Sequence, residues 1–246
     1  MDAVIIAAGY GSRLASLSAS KPLTPVCGVP LIEIGIRQAA AAGITRVVVV
    51  TGHQADAVEG FLADLALRLP VAVETVRVAD WNLPNGHSVI AGAALCAGDY
   101  LLMMADHMFE SAILSNLLAV GDETRDVTLA VDLRTEHPLI DPDDATWVKM
   151  DSRGYISAIG KTIPAWDAVD CGAFLATPRL AEAIQSAVAA GKAGSLSDGM
   201  QWLADRDRAA THEIGGAWWM DVDDPRAHAF AEELAPRYLT AAFASV

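Results

Sequence analysis

The sequence predicts an α/β fold with a mostly parallel mixed central sheet flanked by helices, and three observations predict it. Short, unbroken apolar runs, as in strands buried on both faces, recur through the first hundred residues. Segments with apolar residues three and four apart alternate with them, and glycine or proline stands at the junctions. The chain of 246 residues is 53% hydrophobic and 20% charged, enough for one domain or two small ones, which excludes a disordered chain.

The first apolar run, residues 3–7, ends in small residues before Gly9 and Gly11 break it. A helix is expected over 30–42, with Pro30 near its first turn and Gly43 as its stop signal, and 47–51 is the next buried strand. Residues 55–69 space Val58, Phe61, Leu62, Leu65 and Leu69 at helical intervals, and 71–76 follows as a strand. An alanine-rich helix over 88–97 and a strand over 100–104 complete the regular alternation.

Beyond Asp106 the regularity weakens. A short helix is expected near 111–119, strands near 127–132, 146–150 and 155–159, and a turn at 152–154. A strand near 170–176, helices over 178–190 and 197–204, a last strand over 218–222 and a helix from Pro225 follow. No repeat, low-complexity tract or linker divides the chain.

With 17 Lys+Arg against 31 Asp+Glu, the net charge of −14 argues against a general grip on nucleic acid or an anionic membrane. An anionic ligand therefore needs a local cradle. Cys27, Cys96 and Cys171 form no CxxC pair and read as small buried fillers in a reducing compartment. The start of the chain shows no basic leader, and its apolar run is too short for a membrane span, so a soluble cytoplasmic protein without membrane insertion is expected.

Ala7-Ala8-Gly9-Tyr10-Gly11-Ser12-Arg13-Leu14 lies directly after the first strand. Ligands of open parallel sheets sit at the carboxyl ends of strands, where glycine lets backbone N–H groups approach phosphate oxygens. The loop is a candidate phosphate cradle; the same glycines also fit a tight strand-to-helix turn. It matches neither GxGxxG nor the Walker A pattern. Arg13 and Lys21 bring two cations beside it, in a chain with only 17 basic residues.

Asp106 ends an internal strand, where a carboxylate can hold a divalent cation or can serve as a turn or helix-capping aspartate. Asp221 and Asp223 form a second acidic cluster on one face of the last strand, although Asp223 or Asp224 before Pro225 also fits a helix N-cap. His107 reads as structural. Asn85, Gly86 and Ser88 fit a helix N-terminus. Lys161 fits an anchor for a phosphate or a solvated lysine; Asp170 fits a partner for hydroxyl groups, with Gly172 allowing close approach, or an ordinary strand residue.

The first loop, followed by Ser20-Lys21-Pro22-Leu23 and Gly28-Val29-Pro30-Leu31-Ile32, resembles the nucleotidyltransferase family that couples nucleoside triphosphates to sugar phosphates. Its signature is AAGxGxRL, a spacer, then lysine beside proline. The resemblance implies a single Rossmann-like domain over 1–246, with a nucleotide-binding part about 1–108 and an acceptor-binding, metal-completing part about 109–246. It further implies metal roles for Asp106 and for Asp221 or Asp223, and nucleotide contacts at Ala7, Ala8, Gly9, Gly11, Ser12, Asn85, Gly86 and Ser88.

Ala105-Asp106-His107, the run from Asp143 to Lys149, Ile159-Gly160-Lys161, Asp170-Cys171-Gly172 and Trp219-Met220-Asp221-Val222-Asp223 are, in that order, similar to the inositol-1-phosphate cytidylyltransferase branch. That branch tends to have lysine where this chain has Trp147. The likeness implies Mg²⁺-dependent transfer of CMP from CTP to inositol 1-phosphate or another small phosphomonoester, with Arg13, Lys21 and Asp106 catalytic and Lys161, Asp170 and Gly172 at the acceptor. It also implies a separate membrane CDP-alcohol transferase as downstream partner. Alternatives are a phosphocholine or phosphonate cytidylyltransferase, a sugar-1-phosphate uridylyl- or thymidylyltransferase, and a non-catalytic nucleotide-sugar sensor.

Overall fold

Strand β1 (Asp2–Ile6) lies in the middle of the sheet, and the glycine loop leaves its carboxyl end. Two 3-10 turns, Ser12–Leu14 and Lys21–Leu23, lead into a small hairpin, β2 (Pro25–Val26) and β3 (Val29–Pro30). Helix α1 (Leu31–Ala41) starts after Pro30 and is followed by Gly43 at φ 92°. Strand β4 (Arg46–Thr51), helix α2 (Ala55–Ala66) and strand β5 (Ala72–Arg77) follow as expected, α2 stopping three residues short.

Helix α3 (Gly86–Ala93) begins two residues before the predicted start. Gly86 permits this, because a Cβ there would collide with the Gly194 carbonyl oxygen. Strand β6 (Tyr100–Met104) leads into a short strand β7 (His107–Phe109), then α4 (Ser111–Ala119), β8 (Val127–Asp132), β9 (Trp147–Met150), β10 (Ile156–Gly160) and β11 (Ala168–Ala176). Helices α5 (Arg179–Ala189) and α6 (Leu196–Ala204) precede β12 (Ala209–Glu213), β13 (Trp219–Asp221), α7 (Pro225–Tyr238) and α8 (Thr240–Phe243). This computed structural model describes residues 1–120, 124–138 and 140–243.

The sheet runs β10-β9-β11-β6-β1-β4-β5, with β8 on β11 and β12 on β8. β5, β4, β1 and β6 are mutually parallel, as the apolar runs imply; β11 joins antiparallel to β6, β8 and β9 and makes the sheet mixed. Alternation along β1 sends Val4 and Ile6 to the face covered by α3, α5 and α6, and Ala3 and Ile5 to the face covered by α1, α2 and α4. Each such valine or isoleucine contributes about 1.5–3 kcal/mol by leaving water.

A third cluster joins Leu14, Val26, Leu31 and Ile34 to Met108, Met220, Val222 and the inner face of α7 and α8. It fastens the C-terminal helices under the first loop and holds β13 on β7, with Asp221 paired opposite His107. This long-range pairing and the edge strand β12 are additions to the sequence reading. Among the described residues no helix is long and apolar enough to cross a membrane.

Candidate active site

At the carboxyl ends of β1 and β6 the chain encloses a cleft of about 320 Å³, lined by Arg13, Asn85, Asp106, His107, Asp144, Lys161, Asp170, Gly172, Trp219, Asp221 and Asp223. Each functional side chain is set by a local feature. Arg13 sits on the turn anchored by buried Leu14, and Lys21 opens the turn containing buried Pro22. Asp106 lies between β6 and β7, its carbonyl bonded by the Val222 N–H at 2.9 Å. Asp224 caps α7, accepting from the Ala227 N–H at 2.7 Å, which decides the capping question and leaves Asp223 to the cleft.

The cations and carboxylates pair with one another. Lys21 Nζ lies 2.5 Å from Asp106 Oδ2 and also contacts Asp223 Oδ1. Arg13 Nη2 donates to Asp144 Oδ2 at 2.5 Å and Asp223 Oδ2 at 2.6 Å. Lys161 donates to the other oxygen of Asp144. Asp144, which sequence reasoning missed, thus bridges the first loop and the end of β10. The acidic run Asp141-Pro142-Asp143-Asp144 was the available signal.

Of the other sequence candidates, Asn85, Asp170, Gly172 and Asp221 line the cleft, and the rest lie on the first loop or behind the cleft wall. Gly9 and Ser12 are exposed on the loop, whereas Ala7 and Ala8 are buried. The Ala7 N–H donates to the Val50 carbonyl, and the Ala8 carbonyl accepts from the His53 N–H, so both brace the loop. Asn85 reaches the cleft, but its Oδ1 accepts from the Leu196 N–H at 2.9 Å, joining α3 to α6; Gly86 and Ser88 are buried behind it. Gly172, at φ 77°, makes room for the ring of His107: a Cβ there would collide with His107 Cδ2.

Electrostatics sort these groups. Burial works against the Asp106 carboxylate, but Lys21 and His107 outweigh it and hold its pKa far below the usual range. Burial likewise opposes charge on His107, yet Asp221 and Asp106 raise its pKa to about 9. Burial pushes Asp170 up to about 6 despite the Gly172 N–H, and pushes Asp221 up as well. Desolvation of Asp144 is overcome by Lys161 and Arg13, which lower its pKa.

Asp221 Oδ1 is buried without a hydrogen-bond partner. It belongs to two groups of close donor atoms, one with Asp106 and His107, the other with Asp144 and Asp223. A hard oxygen-rich set with one orphaned carboxylate oxygen fits a divalent cation.

A glycine loop at a strand end, flanked by cations and facing clustered carboxylates, defines a nucleotidyltransferase-type α/β protein. Residues 3–147 match the MobA-like NTP transferase domain, and the chain belongs to that family. It is 33% identical over 236 residues to the bifunctional IPC transferase and DIPP synthase of Rubrobacter xylanophilus, covering 95% of this chain and 52% of that protein. The Aquifex aeolicus protein of the same name is 30% identical over 226 residues, covering 91% and 49%. The chain therefore spans about half the length of these curated relatives.

Among solved structures, the inositol-1-phosphate CTP transferase from T. maritima superposes with a TM-score of 0.82 at 21% identity, covering 96% of each chain. A UDP-glucose pyrophosphorylase complexed with UDP-glucose gives 0.80 at 18% identity, covering 94% of this chain and 97% of that one. Both share the fold.

Proposed function

We propose that this protein transfers CMP from CTP to a small phosphomonoester, with inositol 1-phosphate as its acceptor, giving a CDP-alcohol and pyrophosphate. The observation that carries the reading is the convergence of Arg13, Lys21 and Lys161 on the carboxylates of one cleft in an otherwise acidic chain. Two IPC transferase and DIPP synthase relatives that match most of the chain, together with the inositol-1-phosphate CTP transferase of like fold, support CTP and inositol phosphate.

In this reading an acceptor phosphate oxygen attacks the α-phosphorus of CTP, in line with departing pyrophosphate. The new P–O bond forms as the bond to the leaving pyrophosphate breaks, and that oxygen carries the electron pair away. Both reactants are anions, so alignment and charge neutralisation dominate. Gly9, Gly11 and Ser12 on the exposed loop, with Arg13, hold the departing phosphates, while Ala7 and Ala8 set the loop's position. Lys21 exchanges its contacts with Asp106 and Asp223 for the α-phosphoryl oxygens. Asn85 borders the nucleotide, with Gly86 and Ser88 supporting it.

Lys161 anchors the acceptor phosphate, and Asp170 faces its hydroxyl groups, beside Gly172. Asp106 and Asp221, with Asp223 beside them, would hold Mg²⁺, which when bound neutralises phosphate charge. A phosphomonoester is already ionised at neutral pH, so no general base is required. The nucleotide side falls in residues 1–108 and the acceptor side in 109–246. A cytoplasmic setting agrees with the free cysteines Cys27, Cys96 and Cys171, of which Cys171 alone is buried as the sequence led us to expect while Cys27 is exposed, and the product would pass to a membrane CDP-alcohol transferase.

Trp219 is the one tryptophan lining the cleft among the described residues, and it stacks on His107, which disfavours an aromatic cage for phosphocholine. The test is pyrophosphate release with Mg²⁺, crossing four nucleoside triphosphates with inositol 1-phosphate, phosphocholine, aminoethylphosphonate and glucose 1-phosphate. CTP with inositol 1-phosphate is the expected pair. Release only with UTP and glucose 1-phosphate overturns the substrate assignment, and binding without release identifies a sensor.

A further inference from the structure

His107 follows Asp106 in the chain and faces Asp221 across the β7–β13 ladder. Its Nδ1 lies 2.8 Å from Asp106 Oδ1 and 3.7 Å from Asp221 Oδ1. An ionised carboxylate only accepts hydrogen bonds, so Nδ1 carries the proton and donates it to Asp106.

Three neighbours fix the ring. Trp219 stacks on it at 6.0 Å between centroids and 13° between planes, and Phe109 at 6.2 Å and 26°. Trp219 is itself tied down by its Nε1–H bond to Asp132 Oδ2 at 2.8 Å. Gly172 closes the remaining edge, where even a methyl group would come within 2.8 Å of Nε2. The second hydrogen-bond partner of Asp106 is the long, flexible side chain of Lys21, on Oδ2. The rigid restraint on the Asp106 carboxylate is therefore the imidazole.

The geometry points to His107 as a positioning residue whose Nδ1–H fixes Oδ1 of Asp106 and thereby aims that carboxylate, with Asp221 and Asp223, at a shared divalent cation. The inference rests on the metal role proposed above for Asp106. In this arrangement His107 acts on the ion through Asp106 rather than as a ligand, since Nδ1, the nitrogen that faces the carboxylates, is committed to Asp106. Partners one step removed from a metal set its affinity through the ligand they orient, and losing one costs about 10–100-fold.

The experiment titrates Mn²⁺ into the protein without nucleotide or acceptor and reads free ion by electron paramagnetic resonance, alongside thermal melting. His107→Phe keeps an aromatic ring against Trp219 and loses the donor; His107→Asn places an amide N–H where Nδ1 stood; His107→Gln reaches only the Nε2 position. The expected result is Mn²⁺ binding about 10–100-fold weaker in H107F and H107Q, with H107N close to the unaltered protein. If H107F does not fold, the contrast between H107N and H107Q carries the test.

Equal affinity in all variants overturns the inference, as does equal weakening in all three. Nitrogen coupling to bound Mn²⁺ in pulsed spectra would make His107 a ligand and also overturns it. So does unchanged binding in Asp106→Asn, which would put the ion elsewhere. A protein that binds Mn²⁺ through Asp106 in this pattern but releases no pyrophosphate from any triphosphate leaves the inference standing and removes the proposed function.

Discussion

The aliphatic stem of Lys21 lies directly over Gly11: a Cβ at Gly11 would run into Lys21 Cβ and sit 2.7 Å from its Cδ. Gly11 also holds φ at 62°, in the left-handed region that costs other residues about 1–2 kcal/mol. The second glycine of the loop is thus required both for its backbone conformation and for seating the Lys21 side chain. Gly11→Ala should lower stability by about 1–2 kcal/mol and lower turnover further, because Lys21 is pushed from its seat. Melting curves and pyrophosphate release measured on the same preparation check this, and a lowered melting temperature with intact turnover would contradict it.

Lys21→Ala and Asp106→Ala test the charges themselves. If they act at the transferring phosphoryl group as proposed, removing either preorganised charge should raise the barrier by on the order of 3 kcal/mol, about a hundredfold in rate. Asp106 lines the cleft, Lys21 pairs with it, and neither belongs to the apolar core, so each variant should keep its circular dichroism spectrum. Near-normal kinetics in either variant removes that residue from the mechanism.

Local patterning was enough for the elements that build the platform. The runs forming β6, α4 and β8 coincide with the spans read from the sequence, because burial on two faces or one leaves a short-range periodic record. The first loop was legible for the same reason, its glycines and cations being contiguous. Asp144 and His107 were not, since their importance arises from partners far away in sequence: Arg13 for one, Asp221 and Gly172 for the other. Strand β12, Ala-Ala-Thr-His-Glu, escaped because an edge strand rich in alanine carries little β propensity. Alternation placed Asp221 and Asp223 on one face of the last strand, but the metal roles expected of them came from family resemblance, because a two-residue alternation says nothing about which carboxylate will be left without a partner.

Asp144 pairs with both Arg13 and Lys161, so in the proposed reaction, where these cations serve the nucleotide and the acceptor, incoming phosphates would compete with it for both. Asp144→Asn weakens that competition and loosens the placement of both cations. The KM for the phosphomonoester should therefore fall a few-fold while kcat drops about tenfold, or about 1.4 kcal/mol in the barrier. Steady-state kinetics with the acceptor varied at saturating CTP separates the two constants. A raised KM with unchanged kcat would show that Asp144 contacts the acceptor directly.

Asp132 supplies the pH dependence that stands apart from the reacting groups. Its nearly buried carboxylate accepts from the Arg134 backbone N–H and Nε at 2.8 Å each, from Arg134 Nη2 at 2.9 Å and from Trp219 Nε1 at 2.8 Å. Burial raises its pKa, but these bonds outweigh burial and hold it below the ordinary aspartate range. A carboxylate depressed in the folded state contributes stability that is complete above its unfolded value of about 4 and is lost as pH falls through the folded one. Asp132→Asn should therefore cost about 2 kcal/mol at pH 7, within the range for hydrogen bonds to charged groups, and progressively less below pH 4. Urea unfolding of both proteins from pH 7 to pH 3 reads the difference, in which the shared titration of every other carboxylate cancels. A gap that stays constant across that range would mean that Asp132 keeps its ordinary pKa, and that Arg134 and Trp219 do not favour its charged form.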